Sequence, residues 1–388
     1  MNGLMLNPQL LKVPLYVAGK SPEEVCQELG LTEAIKLGSN ENMLGPSPMA
    51  LTALRQALAE VHRYPGMAEN QLRHKLVAYH GEDLTADHFI IGNGGSDVLR
   101  MIAQAFISEG VEAIACRVTF PLFALLTTMY GGKTIRVEPR PDYRFDLPAM
   151  ADAVTDQTRI VWLCSPNNPT GFILSQKEVD EFIEWLPDHV VVVLDEAYCD
   201  FVTDPDYAGG VRYVRQGRNV VVVRSFSKGA GLASLRVGYG IAHPDLIEYL
   251  MHTVLPFNTG ALACVAAAAS LDDYDFRRRS HDLVARERAL LYTHLSEMGL
   301  NCLAGHANFL LIVDPPLGAP ALTDALLREG VIVRPMGGFG LPNALRVTVG
   351  LPEENRRFLA VVRAALSWDI TPGGEPCIVA ESRKDRRQ

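Results

Sequence analysis

The chain has 388 residues, of which 48% are hydrophobic and 21% are charged, with a formal net charge of −9. This length exceeds one ordinary hydrophobic core and predicts two domains. The acidic balance disfavours nucleic acid or an anionic membrane as a partner, because both require a basic face. A local cluster of arginines could still bind an anionic small molecule.

Seven cysteines are scattered along the chain without a CxxC pair. This odd number and spacing disfavour a disulfide framework or a structural zinc site. The N-terminus lacks a basic segment followed by an apolar one, and no apolar stretch reaches the roughly 20 residues of a membrane helix. The sequence therefore predicts a protein of the reducing cytoplasm.

Helices and strands are predicted to alternate from about residue 50. An earlier helix begins at Pro22, with Ser21 as its N-cap and Glu24 completing a capping box. The later predicted helices cover residues 48–60, 68–80, 96–108, 120–130 and 175–185. The predicted strands cover residues 88–92, 112–116, 133–137, 159–164, 190–195, 220–225 and 237–242. Short β-branched runs separated by helices predict a mostly parallel, seven-stranded sheet between helices, an α/β fold.

A different pattern follows residue 268. One long helix is predicted over 273–299, and strands over 308–313, 331–335 and 344–350. These elements predict a smaller α+β domain. The arginine run at 277–279 is typical of a solvated helix face. The predicted organisation is an N-terminal arm (1–38), a large domain (39–268), a small domain with part of the N-terminal segment (269–370) and a disordered tail (371–388).

Lys228 is the first candidate for chemistry. It follows a buried strand in the segment SFSKGAGLASLR (225–236). Burying a charged amine there costs free energy of folding, so a functional role of the amine is expected. Small neighbours leave room for a bulky ligand, and a lysine amine can form a Schiff base with a carbonyl compound. The hydroxyls of Ser225 and Ser227 and the guanidinium of Arg236 suit a phosphate group.

Two further segments follow buried strands. Asp195 ends the strand VVVVLD, at the sheet edge where open α/β sheets bind ligands, and could keep a cofactor ring nitrogen protonated. Tyr198 could donate a hydrogen bond to the phenolate oxygen of such a ring. The loop SPNNPTG (165–171) could present Asn168 to the same oxygen. Taken singly, Asp195 could instead be a helix cap, and the Asn-Pro pair a plain turn.

A glycine-rich turn, GNGGSD (92–97), joins a strand to a helix whose free amides could bind phosphate. It differs from a dinucleotide fingerprint, because Asp97 replaces the last glycine and no acidic ribose ligand follows at a suitable distance. Phe120, one segment later, could stack on a cofactor ring or belong to the core.

Together these motifs resemble the class I/II, fold-type I aminotransferases that use pyridoxal phosphate. The segments SNEN (39–42), GPSP (45–48), RYP (63–65) and HANF (306–309) narrow the resemblance to histidinol-phosphate aminotransferases. It covers roughly residues 12–365.

The resemblance implies a role for each matching residue. Lys228 holds the cofactor and moves the proton, Asp195 pairs with the ring nitrogen, and Tyr198 and Asn168 hold the phenolate oxygen. Phe120 stacks on the ring. The implied phosphate ligands are Gly95, Ser96, Ser225, Ser227, Arg236 and, from the other subunit of a homodimer, Tyr64. The implied substrate-binding residues are Arg346, Arg334, Asn42 and Tyr16.

The sequence departs from this pattern at Gly66, Asp97, Ala230 and Ser234, which leaves the substrate open. The leading interpretation is transamination between histidinol phosphate, or imidazole-acetol phosphate, and glutamate or 2-oxoglutarate. The alternatives are an aromatic amino-acid aminotransferase, a decarboxylase of a phosphorylated amino acid, a secondary-metabolic oxidase or lyase, and a non-catalytic cofactor-binding protein.

Overall fold

This computed structural model describes residues 7–15, 19–81 and 83–367, over which helices and strands alternate. The helices are α1 (Pro22–Leu29), α2 (Pro48–Ala57), α3 (Ala68–His80), α4 (Gly95–Phe106), α5 (Leu122–Met129), α6 (Leu147–Asp152), α7 (Gln176–Trp185), α8 (Val211–Arg215), α9 (Pro244–Met251), α10 (Ala261–Asp272), α11 (Tyr274–Glu297), α12 (Ala319–Arg328) and α13 (Pro352–Ser367). The strands are β1 (Ile35–Lys36), β2 (Phe89–Gly92), β3 (Glu112–Cys116), β4 (Lys133–Val137), β5 (Thr158–Cys164), β6 (Val191–Asp195), β7 (Val220–Ser225), β8 (Gly238–Ile241), β9 (Asn301–Leu303), β10 (Phe309–Val313), β11 (Val331–Ile332), β12 (Arg334–Pro335) and β13 (Ala344–Thr348).

Among the described residues, seven strands form the central sheet, in the order β2-β8-β7-β6-β5-β3-β4. All neighbours are parallel except β8, which runs antiparallel to both β2 and β7. The predicted α/β class with a mostly parallel seven-stranded sheet is therefore confirmed. The reversal at β8 was not predicted, because a four-residue strand shows no direction in its sequence.

The valine-rich strands β6 and β7 show why both faces of this sheet are covered. Val192 and Val222 lie in the hydrophobic cluster on one face, whereas Val193 and Val221 lie in the cluster on the other. All four are buried. Because side chains alternate along a strand, an unbroken apolar run can bury itself only between two layers of helices.

The four-stranded antiparallel sheet, ordered β12-β13-β10-β9, belongs to the last third of the chain. It shares a hydrophobic core with α11, α12 and α13. The two-residue strand β1 pairs in parallel with β11, which ties the N-terminal segment to this part. The sequence did not predict β1 or β9, since two or three residues show no periodicity. The domain boundary at residue 268 stays a prediction, and the tail at 371–388 lies outside the described residues.

The N-terminal capping box is present as predicted: the Ser21 side chain accepts from the amide of Glu24, and the Glu24 carboxylate accepts from the amide of Ser21. The long predicted helix is α11, and Asp273 caps its first turn by accepting from the amide of Phe276. Among the described helices, none is long and apolar enough to cross a bilayer.

Candidate active site

The carboxyl ends of β5, β6 and β7 bring three predicted loops to one edge of the central sheet. Cys164 at the end of β5 pairs with Asp195 at the end of β6, and Asp195 pairs with Val223 of β7. The loops that follow carry Asn168, Tyr198 and Lys228. The parallel register therefore gathers side chains that are distant in sequence.

Asp195 is a buried carboxylate, only 5% exposed. Its Oδ1 accepts a hydrogen bond of 3.0 Å from the amide of Ala197, and it forms no ion pair in the described part of the chain. Burial raises its pKa to about 7, in the same direction as the nearby charge of Glu196, whereas the hydrogen bond from Ala197 and the charge of Lys228 act to lower it. The neighbouring Glu196 is instead neutralised by Arg224, with 2.8 Å between Oε2 and Nη2. Asp195 is thus the carboxylate of this edge that lacks a cationic partner.

The amine of Lys228 faces the same region. Its Nζ donates a hydrogen bond of 3.0 Å to the carbonyl of Ser39, in the predicted SNEN loop. Burial, and then the positive charge of Arg346, lower its pKa to about 7. A lysine with so low a pKa is partly neutral at physiological pH, and so can act as a nucleophile or as a base.

Tyr198 lies against the catalytic lysine candidate, with Lys228 Nζ 5.9 Å from the centre of its ring. The Tyr198 oxygen accepts a hydrogen bond of 3.0 Å from Nδ2 of Asn40. Burial raises the pKa of Tyr198 to about 12, so the phenol keeps its proton. Because Asn40 donates to that oxygen, the phenolic proton remains for donation to another acceptor.

Asn40 is a residue that the sequence analysis missed. It is buried, has a φ of 54°, and exchanges hydrogen bonds with Thr348, whose hydroxyl accepts from its amide at 2.9 Å. Asn308 of the HANF segment donates to its carbonyl at 3.1 Å. The signal available in the sequence was an asparagine in a loop motif, a residue type that tolerates a positive φ. Its partner Tyr198 is 158 positions away, so the contact itself could not be predicted.

Arg346 and Asn168 are in direct contact. Nη1 of Arg346 donates to Oδ1 of Asn168 at 2.5 Å, and Nη2 donates to the carbonyl of Gly38 at 3.1 Å. Arg346 is buried, on β13. Arg334, on β12, pairs directly with Arg346 in the antiparallel register. Directly opposed residues point to the same face of a sheet, so both guanidiniums lie on one side.

The predicted phosphate ligands other than Tyr64 lie around the N-terminus of α4. Gly95 and Ser96 are its first residues, and the first amides of a helix have no partner within it. Nη1 of Arg236 donates to the hydroxyl of Ser227 at 3.3 Å, and the amide of Ser227 donates to the hydroxyl of Ser225 at 3.1 Å.

Gly94, the N-cap of α4, lies against the same arginine. A Cβ at this position would lie 2.5 Å from Nη2 of Arg236, so the guanidinium occupies the space that a side chain would take. The glycine-rich turn alone did not predict this role for Gly94. A helix N-terminus, two hydroxyls and a guanidinium together make an anion-binding cradle.

Two predicted aromatic residues are placed differently. Phe120 is half-buried and packs edge-on against Phe123, with 5.7 Å between ring centres. Tyr64 is 76% exposed and stacks on Phe257, with 4.3 Å between ring centres. Phe120 thus packs at the edge of a hydrophobic cluster of the central sheet, and Tyr64 lies on the surface of the chain. The predicted contacts of both with a cofactor stay predictions.

The side chain of Asn42 contacts the lysine loop and the first turns of α11. Its Nδ2 lies within hydrogen-bonding distance of the carbonyls of Lys228 (3.2 Å) and Gly229 (2.9 Å) and of the Ser280 hydroxyl (2.8 Å). It therefore holds the lysine loop, and its predicted contact with substrate stays a prediction. Tyr16, the remaining predicted substrate residue, lies outside the described residues.

The family of this chain follows from comparison with known proteins. The model of the family "Aminotransferase class I and II" matches residues 32–362, and the chain belongs to this family. It is therefore an aminotransferase of class I and II.

Individual relatives narrow the similarity further. The chain is 40% identical to histidinol-phosphate aminotransferase 1 of Idiomarina loihiensis over 92% of this chain and 97% of that protein. It is 40% identical to histidinol-phosphate aminotransferase of Symbiobacterium thermophilum over 90% and 96% of the two chains. The crystal structure of histidinol-phosphate aminotransferase from Sinorhizobium meliloti in complex with pyridoxal-5'-phosphate is similar with a TM-score of 0.85, at 26% identity, over 94% of this chain and 98% of that one.

Proposed function

We propose that this chain catalyses pyridoxal-phosphate-dependent transamination between histidinol phosphate, or its keto counterpart imidazole-acetol phosphate, and glutamate or 2-oxoglutarate, a step of histidine biosynthesis. The relatives that are 40% identical to this chain over nine-tenths or more of its length are named histidinol-phosphate aminotransferases, which supports the first of these substrates. The observation that supports it most directly is the pairing of Arg334 with Arg346 on one face of the small sheet. Guanidinium groups bind both phosphate and carboxylate, as a pocket for two alternating substrates requires.

The residues present fit the cofactor. Asp195 offers a buried carboxylate that lacks a cationic partner, which suits a protonated ring nitrogen. Lys228 offers an amine with a pKa of about 7. Arg236, Ser225 and Ser227, with the start of α4, would hold the phosphate.

When bound, pyridoxal phosphate would supply an electron sink for negative charge at the substrate α-carbon. Lys228 would take the α-proton at its Nζ and return it, since an amine with a pKa near 7 is effective in both directions at neutral pH. Asp195 would hold a proton on the ring nitrogen. Tyr198 and Asn168 would donate hydrogen bonds to the phenolate oxygen, and Arg346 would orient the substrate anion.

A homodimer with shared sites completes the proposal. Tyr64 and Phe257 form an exposed stacked pair, and Leu58, Val61 and Leu255 are also exposed. Exposed apolar side chains of this size are typical of an interface. Tyr64 would then reach the cofactor phosphate of the partner subunit. Two further predictions from the sequence belong to this proposal. The enzyme would be located in the cytoplasm, and the boundary between its two domains would lie near residue 268.

A single-turnover screen of amino donors tests the substrate. The holoenzyme is mixed with histidinol phosphate, histidinol, glutamate, tyrosine or phenylalanine, and loss of the near-ultraviolet to blue absorbance is followed. We expect histidinol phosphate to react much faster than histidinol, which lacks the phosphate. In the Arg334→Gln variant, the ratio of the rate with histidinol phosphate to the rate with histidinol should fall by about tenfold, and the rate with histidinol should not change.

Other outcomes select the alternatives. Inertness toward histidinol phosphate, with rapid reaction of tyrosine or phenylalanine, would replace the proposal by an aromatic amino-acid aminotransferase. Release of carbon dioxide would indicate a decarboxylase, and production of peroxide an oxidase.

A further inference from the structure

A cavity of about 350 Å³ lies beside the loop that carries the catalytic lysine. We call it the Asp200 cavity. It lies between the turn after β6, the residue that follows Lys228, and the first turns of α11. The polar residues that line it are Asp200, Gly229, Tyr274, Arg277, Arg278, Ser280 and His281. Arg278 already donates a hydrogen bond of 3.0 Å to the carboxylate of Asp275. None of the predicted cofactor or substrate residues lines it. Asp200 and Arg277 also line a smaller neighbouring pocket, which extends to Ser225.

Arg277 is the first unusual feature of this cavity. The arginine run predicts a solvated helix face, and Arg278 and Arg279 are exposed. Arg277 is instead half-buried between two tyrosines: its guanidinium carbon lies 4.8 Å from the ring centre of Tyr79 and 4.9 Å from that of Tyr274. Its Nε is buried without a hydrogen-bond acceptor in the described part of the chain. The two rings hold the cation in place, and its guanidinium forms no hydrogen bond to another described residue.

Asp200 supplies the opposite charge. A Cβ on Gly229 would lie 2.1 Å from Oδ2 of Asp200, so the carboxylate occupies the space directly over this glycine. Within the described residues, Asp200 forms no hydrogen bond through its side chain and no ion pair with Arg277 within 4.0 Å. A carboxylate and a guanidinium thus face one cavity without closing on each other.

We propose that the Asp200 cavity binds a free α-amino acid. The ammonium group would bind Asp200, the carboxylate would bind Arg277, and the side chain would pack on Tyr274. The two charged groups of an α-amino acid are one carbon apart, which suits opposite charges facing each other across one small cavity. An anion alone would meet the Asp200 carboxylate, and a cation alone would meet the Arg277 guanidinium. The volume lies in the range of small-molecule sites.

Occupancy would act on the lysine loop. Gly229 and Ser280 line the cavity, and the Asn42 side chain contacts both, at 2.9 Å and 2.8 Å. The same amide nitrogen lies 3.2 Å from the carbonyl of Lys228. A bound amino acid would therefore stabilise the arrangement that presents the lysine, and the site would be regulatory. This inference holds whichever substrate the active site prefers.

The test separates this site from the active site. The holoenzyme is first reduced with sodium borohydride, which fixes the cofactor on Lys228 and removes the aldehyde that amino acids would attack. Each of the proteinogenic amino acids, and inorganic phosphate, is then titrated by calorimetry at millimolar concentration. The same titrations are made on Arg277→Met and Asp200→Asn. Arg279→Met, which changes the exposed arginine two positions along the same helix, is the matched control.

We expect at least one amino acid to bind saturably, and both cavity variants to weaken it by about tenfold or more, as the loss of a hydrogen bond to a charged group does. Arg279→Met should leave its affinity within about twofold. If Arg277→Met does not fold, Arg277→Lys replaces it. Lysine keeps the positive charge but lacks the two parallel N–H donors of a guanidinium. The proposal is overturned if no amino acid binds saturably, if phosphate binds as tightly as the best amino acid, or if the cavity variants bind unchanged. None of these outcomes bears on the substrate screen.

Discussion

Asn168 accepts a short hydrogen bond from Arg346, 178 positions later in the chain, at 2.5 Å. The contact joins the SPNNPTG loop of the central sheet to a strand of the small sheet. The residue proposed to hold the cofactor and the residue proposed to hold the substrate anion are thus positioned by each other. A second bond, from Arg346 to the carbonyl of Gly38 at 3.1 Å, fixes the plane of the guanidinium.

Arg346→Lys should therefore impair substrate binding although the charge is kept. One ammonium cannot donate to Asn168 and Gly38 and also offer two parallel donors to a carboxylate. We expect kcat/KM for glutamate to fall by about 10- to 100-fold, measured by steady-state kinetics. The exposed Arg328→Lys is the control. Equal kinetics of Arg346→Lys and the unaltered enzyme would place the substrate anion elsewhere.

Lys228 should react with amine reagents in the cofactor-free protein at a lower pH than ordinary lysines. Its pKa is lowered from 10.5 to about 7, so the neutral, reactive amine predominates above about pH 7. Competitive labelling followed by mass spectrometry should show half-maximal reactivity of Lys228 near that pH, with the exposed Lys177 as internal reference. Arg346→Met should move the midpoint upward, because the Arg346 charge disfavours the protonated amine. Parallel pH profiles for Lys228 and Lys177 would contradict the assignment.

Asp195→Asn should raise the stability of the cofactor-free protein and lower the activity of the holoenzyme. Burial raises the pKa of Asp195 from 3.8 to about 7. The folded protein thus binds this proton more tightly than the unfolded chain, and loses stability as the pH rises from about 4 to about 7. Asparagine removes the charge but keeps an oxygen for the amide of Ala197. At pH 8 the free energy of unfolding of the cofactor-free protein should rise by up to about 4 kcal/mol, with little change at pH 3.

Denaturant unfolding at both pH values measures this effect, and the exposed Asp188→Asn is the control. In the holoenzyme, the same substitution should lower kcat by at least about a hundredfold, since the ring nitrogen loses its carboxylate. A destabilised Asp195→Asn at pH 8 would mean that the carboxylate already has a cationic partner.

Gly94→Ala should weaken cofactor binding through Arg236. The added Cβ would lie 2.5 Å from Nη2 of Arg236 and displace the guanidinium from the start of α4. Gly110→Ala is the matched control: Gly110 has a φ of 85°, close to the 82° of Gly94, but a Cβ there meets no atom within 4 Å. Both variants strain the backbone, by roughly 1–3 kcal/mol, because each glycine has a positive φ. Gly94, with a ψ of 169°, lies in a region that is essentially confined to glycine, so the measured folding stability of both variants is compared first. Only Gly94→Ala should raise the Kd of pyridoxal phosphate, by about tenfold or more, in a fluorescence titration.

The sequence alone predicted the elements and residues whose signals are local. Asp195 and Lys228 could be predicted because each lies at or just after the end of a valine-rich strand, β6 or β7. A buried strand and its end can be recognised from neighbouring residues in the sequence. The contact between Asn40 and Tyr198, and the stacking of Arg277 between Tyr79 and Tyr274, depend on how distant segments pack. A pattern of neighbouring residues in the sequence cannot show such contacts. Only the structure shows that Asn40 contacts Tyr198 and that Arg277 lies between two tyrosine rings.

Arg334 faces Arg346 because β12 and β13 align in one particular way. A shift of the pairing by a single residue would turn the side chain of the shifted strand to the far face and separate the two guanidiniums. Loop sequences around the site can change while this alignment persists. Anion binding by the two arginines therefore depends on the register of β12 and β13. An insertion or deletion of one residue in either strand would abolish it, even in a protein that still folds.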